Sequence, residues 1–281
     1  MPSGIFTASL KISSSNLNNI TSNIQIETIK PEIQICDSNF TESTDPNLLP
    51  MINLVGEDRK HSDFISASIS NSKFKNYTGE AFIQLKTSVF NPLFDICNCQ
   101  FETNVATNSA IKVSVPSNST SLTRGKIGAV FTGTYIDNVV RMEAPIFELI
   151  FDTSNLTCSA PKIISTDGDK TNLILNNVYM KNSQFFNYCF SVKSATNATI
   201  SLNSTHIERC TNYMNTSILN SDLRLNSNVS MVDVSNTFCS NFISTNLTST
   251  CFSSVSFSPC NSFTYSNQSQ CTNNVNIFLT R

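Results

Sequence analysis

The chain alternates apolar and polar residues over short stretches, which are separated by turns rich in Asn, Ser and Thr. In the segment 94–114, FDICNCQFETNVATNSAIKVS, one alternation leads into Asn, Cys and Phe, and a second follows after Asn and Thr. A period of two is typical of a strand with one buried face, whereas an amphipathic helix needs a period of 3.6 residues. Ala, Glu, Lys and Arg are also scarce, so the pattern predicts an all-β fold.

Similar units recur along the chain. Each has an alternating stretch, a polar turn and then a large apolar residue, called the marker residue below. The markers are Phe40, Phe74, Phe101, Tyr135, Phe185, Ile207, Phe238 and Phe257. Their spacing is irregular but centres near about 30 residues, and the longest gap, from Tyr135 to Phe185, has room for a missed unit. The recurrence predicts a solenoid.

Short strands joined by Asn-rich corners indicate a parallel β-helix. No helical period is present, and the L-x-x-L-x-L pattern of leucine-rich repeats does not occur. Asn tolerates the left-handed backbone conformation that tight corners need, so a chain with only 7 Gly can still turn often. Coils of about 30 residues predict a single-stranded parallel β-helix of roughly nine or ten coils. We expect one domain over residues 1–281, with 1–30 as a less regular coil or cap, and the alternative fold is a β-sandwich.

Short motifs in these units resemble known repeats. F-x-x-N occurs at Phe101 to Asn104 and at Phe238 to Asn241, and Y-x-x-N occurs at Tyr135 to Asn138. The units resemble the right-handed parallel β-helix repeats of the pectate-lyase-like superfamily. More narrowly, they are similar to the repeats of polymorphic-membrane-protein-like surface proteins, although the companion motif G-G-A-I is missing. The resemblance covers roughly residues 30 to 265 and implies a surface protein.

Charge excludes some classes of partner. Charged residues make up 14% of the chain and the net charge is −2, which gives no basic footprint for nucleic acid. No stretch approaches the 18 or so consecutive apolar residues of a membrane span. The first residues lack the apolar run of a signal peptide. Taken alone this predicts a cytosolic chain, but the resemblance implies an extracellular or cell-surface location, and that is the one we expect.

Ten cysteines and eleven N-x-S/T sites are compatible with secretion. The cysteines do not pair as C-x-x-C, so they predict either disulfides or small buried core residues. Cys189, Cys210 and Cys239 follow the markers of three successive units and are expected to form a sulfur ladder inside the core or to link neighbouring coils. The candidate glycosylation sites are Asn19, Asn39, Asn76, Asn118, Asn155, Asn197, Asn203, Asn215, Asn228, Asn246 and Asn267. A random sequence with this content of Asn, Ser and Thr would contain nearly as many N-x-S/T sites.

Candidate catalytic residues are few. Asp167, Asp169 and Lys170 lie in the stretch STDGDK and resemble, faintly, the acidic cluster and base of a polysaccharide lyase. D-G-D is first of all a turn sequence. No metal-binding spacing, P-loop, G-x-S-x-G or G-x-G-x-x-G occurs, so no cofactor or metal is expected.

The sequence therefore favours a non-enzymatic protein, an adhesin-like binding or structural module. Its expected partners are glycans, host or cell-surface proteins, and other copies of itself meeting end to end through unpaired strand edges. Two alternatives stay open: a polysaccharide-processing lyase or hydrolase on a β-helix, and a fragment of a larger surface protein without a separate function.

Overall fold

The computed structural model is an all-β parallel solenoid. It describes residues 7–19, 23–28, 30–44, 47–56, 65–87, 92–120, 122–183, 187–215, 221–226, 228–237, 241–244, 251–257, 262–264 and 277–279. Within these ranges the strands are β1 (Thr7–Ser13), β2 (Asn16–Asn18), β3 (Ile24–Thr28), β4 (Lys30–Cys36), β5 (Asn39–Thr44), β6 (Ile52–Gly56), β7 (Ser66–Ser70), β8 (Lys73–Thr87), β9 (Leu93–Ser114), β10 (Leu122–Glu143), β11 (Ile146–Asp152), β12 (Asn155–Ser159), β13 (Lys162–Asn176), β14 (Tyr179–Asn182), β15 (Tyr188–Asn203), β16 (His206–Asn215), β17 (Ser221–Leu225), β18 (Ser230–Thr237), β19 (Asn241–Ser244), β20 (Cys251–Phe257), β21 (Ser262–Thr264) and β22 (Ile277–Leu279).

Each coil contributes strand to three walls, here called A, B and C in chain order. Wall A runs through β1, β4, β7, the first parts of β9 and β10, β11, the last parts of β13 and β15, and β17. Wall B runs through β2, β5, the first part of β8, the middles of β9 and β10, β12, β14, and the first parts of β16 and β18. Wall C runs through β3, β6, the last parts of β8, β9 and β10, the first parts of β13 and β15, and the last part of β16.

All pairings between described strands are parallel, which confirms the predicted fold class and overturns the β-sandwich alternative. About seven turns separate β4 from β17 along wall A. The pairings of β1 with β4, β17 with β19 and β19 with β21 continue this wall at the two ends. The expected nine or ten coils assumed a uniform repeat of about 30 residues. Residues that pair on wall A are instead as near in sequence as Asp222 and Asn241, or as far apart in sequence as Glu32 and Ser66.

Stacked aromatic rings fill the core behind wall B. The ring centroids of Phe40, Phe74, Phe101 and Phe131 follow each other at 4.8, 4.9 and 5.0 Å, with ring planes within 8° of parallel. This spacing is the distance between neighbouring strands, so each coil adds one ring. Later coils continue the same column with Leu156, Met180, Ile207 and Met231.

This column tests the predicted markers. Phe40, Phe74, Phe101 and Ile207 lie on it as expected. Tyr135 was the wrong choice for its coil, because Phe131 is the residue that pairs with Phe101. Leu156 and Met180 occupy the long gap, which therefore did hide a missed coil. Phe185 and Phe238 lie outside the described residues, as does the side chain of Phe257.

Asn-rich corners join walls A and B, as predicted. Of the 13 non-glycine residues with positive φ among those described, six are Asn. Asn71 and Asn98 occupy this corner in successive coils, with φ of 47° and 53°, and Asn98 Nδ2 donates to Asn71 Oδ1 at 2.8 Å. Asn71 Nδ2 in turn donates to Asp37 Oδ1 at 3.2 Å. The left-handed backbone and the amide ladder thus stabilise the same corner.

Candidate functional site

A groove runs along the corner where wall C turns into wall A. Its volume is about 440 Å³, and four successive coils contribute to its lining: Val115, Ser117, Glu143, Ala144, Pro145, Asp167, Gly168, Asp169, Lys193 and Ser194. Pairing of Glu143 with Asp167, and of Asp167 with Lys193, brings these side chains to one face of neighbouring coils. The groove therefore follows the axis of the solenoid rather than the path of one coil.

The D-G-D stretch lines this groove and forms a corner between walls C and A, as its sequence indicates. The backbone N–H groups of Asp169 and Lys170 both donate to the carbonyl of Pro145, at 2.7 and 2.8 Å. The carbonyl of Asp169 accepts hydrogen bonds from the hydroxyls of Ser194 and Thr196, each at 2.8 Å. The main chain is thus held on both sides while the side chains of Asp167 and Asp169 stay exposed.

Gly168 is required at this corner by close packing. A Cβ at this position would lie 2.1 Å from the carbonyl oxygen of Ala144, closer than any real contact of this kind. The coil below therefore approaches the backbone between the two aspartates directly. This contact fixes the position of both aspartates relative to Glu143 on the preceding coil.

Glu143 is held by neighbours on wall C. Arg141 Nε donates to Glu143 Oε1 at 2.7 Å, and the hydroxyl of Ser114 donates to Oε2 at 3.0 Å. A second nitrogen of Arg141 donates to Asp137 at 3.0 Å. Burial alone would lower the pKa of Arg141, but its hydrogen bonds and ion pairs with Glu143 and Asp137 raise that pKa above its usual value. Glu143 therefore faces the groove as half of an ion pair.

The remaining charges in the groove have no ion-pair partner within the described part of the chain. These are the carboxylates of Asp167 and Asp169 and the ammonium of Lys193, all exposed. Lys170, the third predicted catalytic residue, is exposed but does not line the groove. The sequence predicted Asp167 and Asp169 as candidate site residues but did not predict Glu143 and Lys193. These two reach the same groove only through the register between coils.

This arrangement suits hydrogen bonding better than acid catalysis. A general acid in a glycosidase is usually a carboxyl whose apolar surroundings keep it protonated. Here Asp167 and Asp169 are exposed and Glu143 is paired with Arg141. Carboxylates, serine hydroxyls and a lysine are instead ready acceptors and donors for the hydroxyl groups of a ligand.

A second cluster of polar side chains lies on the outer face of wall B. The ring of Tyr179 stacks on the imidazole of His206 on the next coil, with centroids 5.0 Å apart and planes within 2° of parallel. Glu208 Oε2 accepts a hydrogen bond from the Tyr179 hydroxyl at 3.0 Å, and Oε1 accepts one from Lys181 at 2.7 Å. The Lys181 hydrogen bond is the main reason why the pKa of Glu208 is lowered. Burial and the bond to Glu208 raise the pKa of Tyr179.

Cysteines follow two patterns in the described residues. Cys189 and Cys210 form a disulfide between neighbouring coils, buried in the core, so these two link coils rather than stacking as an unbonded ladder. Cys239 lies outside the described residues. Cys99 and Cys158 are buried free thiols, and burial raises the pKa of Cys99 to about 11 and that of Cys158 further still. Cys36 and Cys97 are free and reach the surface.

The predicted glycosylation sites differ in exposure. The exposed ones are Asn19, Asn39, Asn118, Asn155, Asn197 and Asn228, while Asn76 and Asn203 are half-buried. The side chain of Asn215 and all of Asn246 and Asn267 lie outside the described residues. Asn203 Nδ2 donates to Asn176, and the hydroxyl of Thr205 in the same N-x-T site is buried and bonded to the carbonyl of Leu175 at 3.0 Å.

The part of the chain that the structure describes shows neither a metal-binding cluster nor a membrane-spanning helix. No group of three or more His, Cys, Asp or Glu side chains is placed there to hold a metal ion. Nor do these residues contain a helix with the length and apolar character needed to cross a membrane. Comparisons of the chain with protein-family models, with curated proteins and with solved structures gave no match.

Proposed function

We propose that this protein is a non-enzymatic β-helix module of the cell surface or the secreted fraction, adhesin-like, which binds glycan chains. The observation that carries the proposal is the groove along the corner of walls C and A. Four coils contribute to it, so it extends over about 14 Å at the usual strand spacing. An extended ligand lying along the solenoid axis would meet a new set of side chains at each coil.

The chemistry of the groove supports a glycan as that ligand. Sugar hydroxyls both donate and accept hydrogen bonds, and the lining offers carboxylate acceptors in Asp167 and Asp169, a donor in Lys193, and the hydroxyl of Ser117. Because the D-G-D backbone is bonded to Pro145, Ser194 and Thr196, the main chain that carries the two aspartates is already in position before binding. Preorganisation of this kind reduces the ordering cost of association.

Binding to an array of immobilised glycans tests the proposal, with the full chain and two variants produced in bacteria without N-glycosylation, because D169N creates a new N-x-T site with Thr171 in the groove. We expect D167N/D169N to weaken binding at least about tenfold, since each lost charged acceptor contributes more than a neutral one. D95N is the matched control, because Asp95 is an exposed aspartate on wall A that does not line this groove. Absence of binding to any glycan, or equal binding by D167N/D169N and the wild-type chain, would refute the proposal.

A polysaccharide lyase or hydrolase is the second candidate function. One observation favours it: Asp167, Asp169 and the potential base Lys193 share a single groove. The glycans that bind in the array experiment can be incubated with the chain and assayed for new reducing ends and for unsaturated products. We expect neither, and release of product that D167N/D169N abolishes would replace the binding module with an enzyme.

The proposed extracellular location has separate support. The buried Cys189–Cys210 disulfide is typical of proteins that fold in an oxidising compartment. Six of the predicted glycosylation sites are exposed, which leaves room for sugars on the folded chain. Both features are compatible with a surface or secreted protein.

We also propose that the solenoid is right-handed and belongs to the pectate-lyase-like superfamily, with units similar to polymorphic-membrane-protein-like repeats. The Phe of one F-x-x-N motif supports it, since Phe101 lies in the middle of the aromatic column. The Asn of the same motif, Asn104, begins a corner, where its N–H donates to Asn76 Oδ1 at 3.1 Å.

End-to-end self-association is the remaining proposed interaction. Strands β1, β2 and β3 pair on one side with β4, β5 and β6, and no described strand pairs with their other edge. Such an edge can add strands from another copy. Sedimentation over a range of concentrations should show dimers or longer rods, and a monomer at the highest concentration would count against association.

A further inference from the structure

We propose that Asn155 carries an N-linked glycan whose first N-acetylhexosamine packs against the exposed face of Tyr179. The inference rests on the extracellular location in the proposed function, because N-glycans are attached in the secretory pathway. It does not depend on ligand binding in the groove, which lies at a different corner of the solenoid.

The local geometry makes Asn155 available for attachment. In the sequence Asn155-Leu156-Thr157, Leu156 is fully buried, so both neighbouring side chains point outward from wall B. The hydroxyl of Thr157 donates to Asn155 Oδ1 at 2.6 Å. The amide nitrogen of Asn155 makes no hydrogen bond within the described residues, so a sugar attached there displaces none.

The neighbours of Asn155 on wall B form a surface against which a sugar ring can pack. Asn155 pairs with Val130 on the preceding coil and with Tyr179 on the following one. Tyr179 stacks on His206 along the ladder, so its other face points back toward Asn155. The stack on His206 holds this ring in place, and the hydroxyl bond to Glu208 adds to it. On the opposite side, Val130 presents a side chain that is 38% exposed.

These two neighbours leave a gap over Asn155. Val130 and Tyr179 are two coils apart, about 9.6 Å at the usual strand spacing. The short Asn155 side chain lies between them, and an aromatic ring packs well against the C–H face of a pyranose because both surfaces are apolar. One sugar ring therefore fits on Tyr179, with Val130 behind it.

Other predicted glycosylation sites lack the free side-chain amide, the aromatic neighbour on the next coil, or both. Asn39 lies in the same column as Asn155, but its Nδ2 donates to Asn16 at 2.8 Å and its neighbour on the next coil is Lys73. Asn203 donates its amide to Asn176 at 3.1 Å. Asn118 is exposed in the turn between β9 and β10, outside the described strands, so it serves as an internal control.

The test uses the full chain, produced behind a secretion signal in cells that attach only high-mannose glycans. Peptide mass spectrometry measures occupancy of Asn155, and an endoglycosidase then trims each glycan to its first sugar, which is observed by NMR after isotope labelling. We expect occupied Asn155, with protons of its first sugar shifted upfield by the Tyr179 ring and those at Asn118 unshifted. Y179F should keep the shift, whereas Y179L should lose it without loss of occupancy.

Several outcomes would overturn the inference. These are an empty Asn155 while Asn118 is occupied, sugars absent from every site, and resonances at Asn155 that match those at Asn118 in the wild-type chain. Retention of the shift in Y179L would also refute it. Because Y179F preserves the ring, a folding defect in Y179L alone does not decide the result. Glycan-array binding by the unglycosylated chain and its D167N/D169N variant, both produced in bacteria, reports on the groove independently.

Discussion

At the residue scale, Gly133 shows how closely neighbouring coils approach. It has a φ of 96°, and a Cβ there would lie 1.8 Å from the carbonyl oxygen of Thr103 on the preceding coil. We expect G133A to lower the free energy of unfolding by about 2 to 4 kcal/mol, since it combines backbone strain with overpacking. Urea denaturation measures this. G56A is the control, because its Cβ meets only side-chain atoms, the nearest at 3.3 Å. Equal midpoints for the two variants would contradict the prediction.

Glu208 gives a residue-scale prediction about pH. Its pKa is lowered mainly by the hydrogen bond from Lys181, so its contribution to stability is present above the unfolded pKa of about 4.3 and disappears as the pH falls through the folded value. The wild-type chain should therefore lose more stability than E208Q between about pH 5 and pH 3, by at most about 1 kcal/mol, as for other surface ion pairs. Thermal unfolding across this range checks it, with E42Q as an exposed control. Parallel stability curves for wild type and E208Q would show that the pair contributes nothing.

At the scale of elements, the aromatic column stabilises the stacking of coils. Phe101 and Phe147 are both buried, at 0% and 1% exposure, but only Phe101 stacks on two other rings. F101L should therefore cost about 1 to 2 kcal/mol more than F147L, because each aromatic pair contributes about 0.5 to 1.5 kcal/mol beyond its buried area. Chemical denaturation gives the free energy of unfolding of both variants. Because both replace a buried Phe by Leu, the cost of that replacement largely cancels in the difference between them. A larger loss in F147L would mean that stacking adds little to burial.

The disulfide links two coils of the C-terminal half. Cys189 and Cys210 are 21 residues apart, so C189A/C210A should lower the free energy of unfolding by about 3 kcal/mol. C158A is the matched control, because Cys158 is an equally buried free thiol and its loss removes only packing. Thermal melts of the oxidised chain provide the measurement. If C158A is destabilised as much as C189A/C210A, the bond itself contributes nothing.

The sequence predicts features that depend on neighbouring residues better than features that depend on contacts between coils. Alternation and Asn-rich turns are local, so the strands and the corner at Asn71 and Asn98 could be predicted. The coil register is not local. Near Gly128 and Ala129 the register shifts, because this coil has no counterpart of Asn98, and the marker falls at Phe131 rather than Tyr135. The groove was missed for the same reason, since Glu143 and Lys193 meet Asp167 only through irregular coil lengths.

At the scale of the whole molecule, the cellular compartment of the protein determines whether it can carry the proposed N-glycan and the disulfide and bind a ligand at the cell surface. The intact mass of the protein from its native cell, measured with and without glycosidase and with thiols alkylated before reduction, tests this directly. We expect loss of sugar mass and protection of Cys189 and Cys210 from alkylation, because both lie in a buried disulfide, while the exposed thiol of Cys97 reacts. An unglycosylated chain with every thiol alkylated after unfolding would place it in a reducing compartment. Surface adhesion and the glycan at Asn155 would then both be wrong, and a fragment without separate function would become the better explanation.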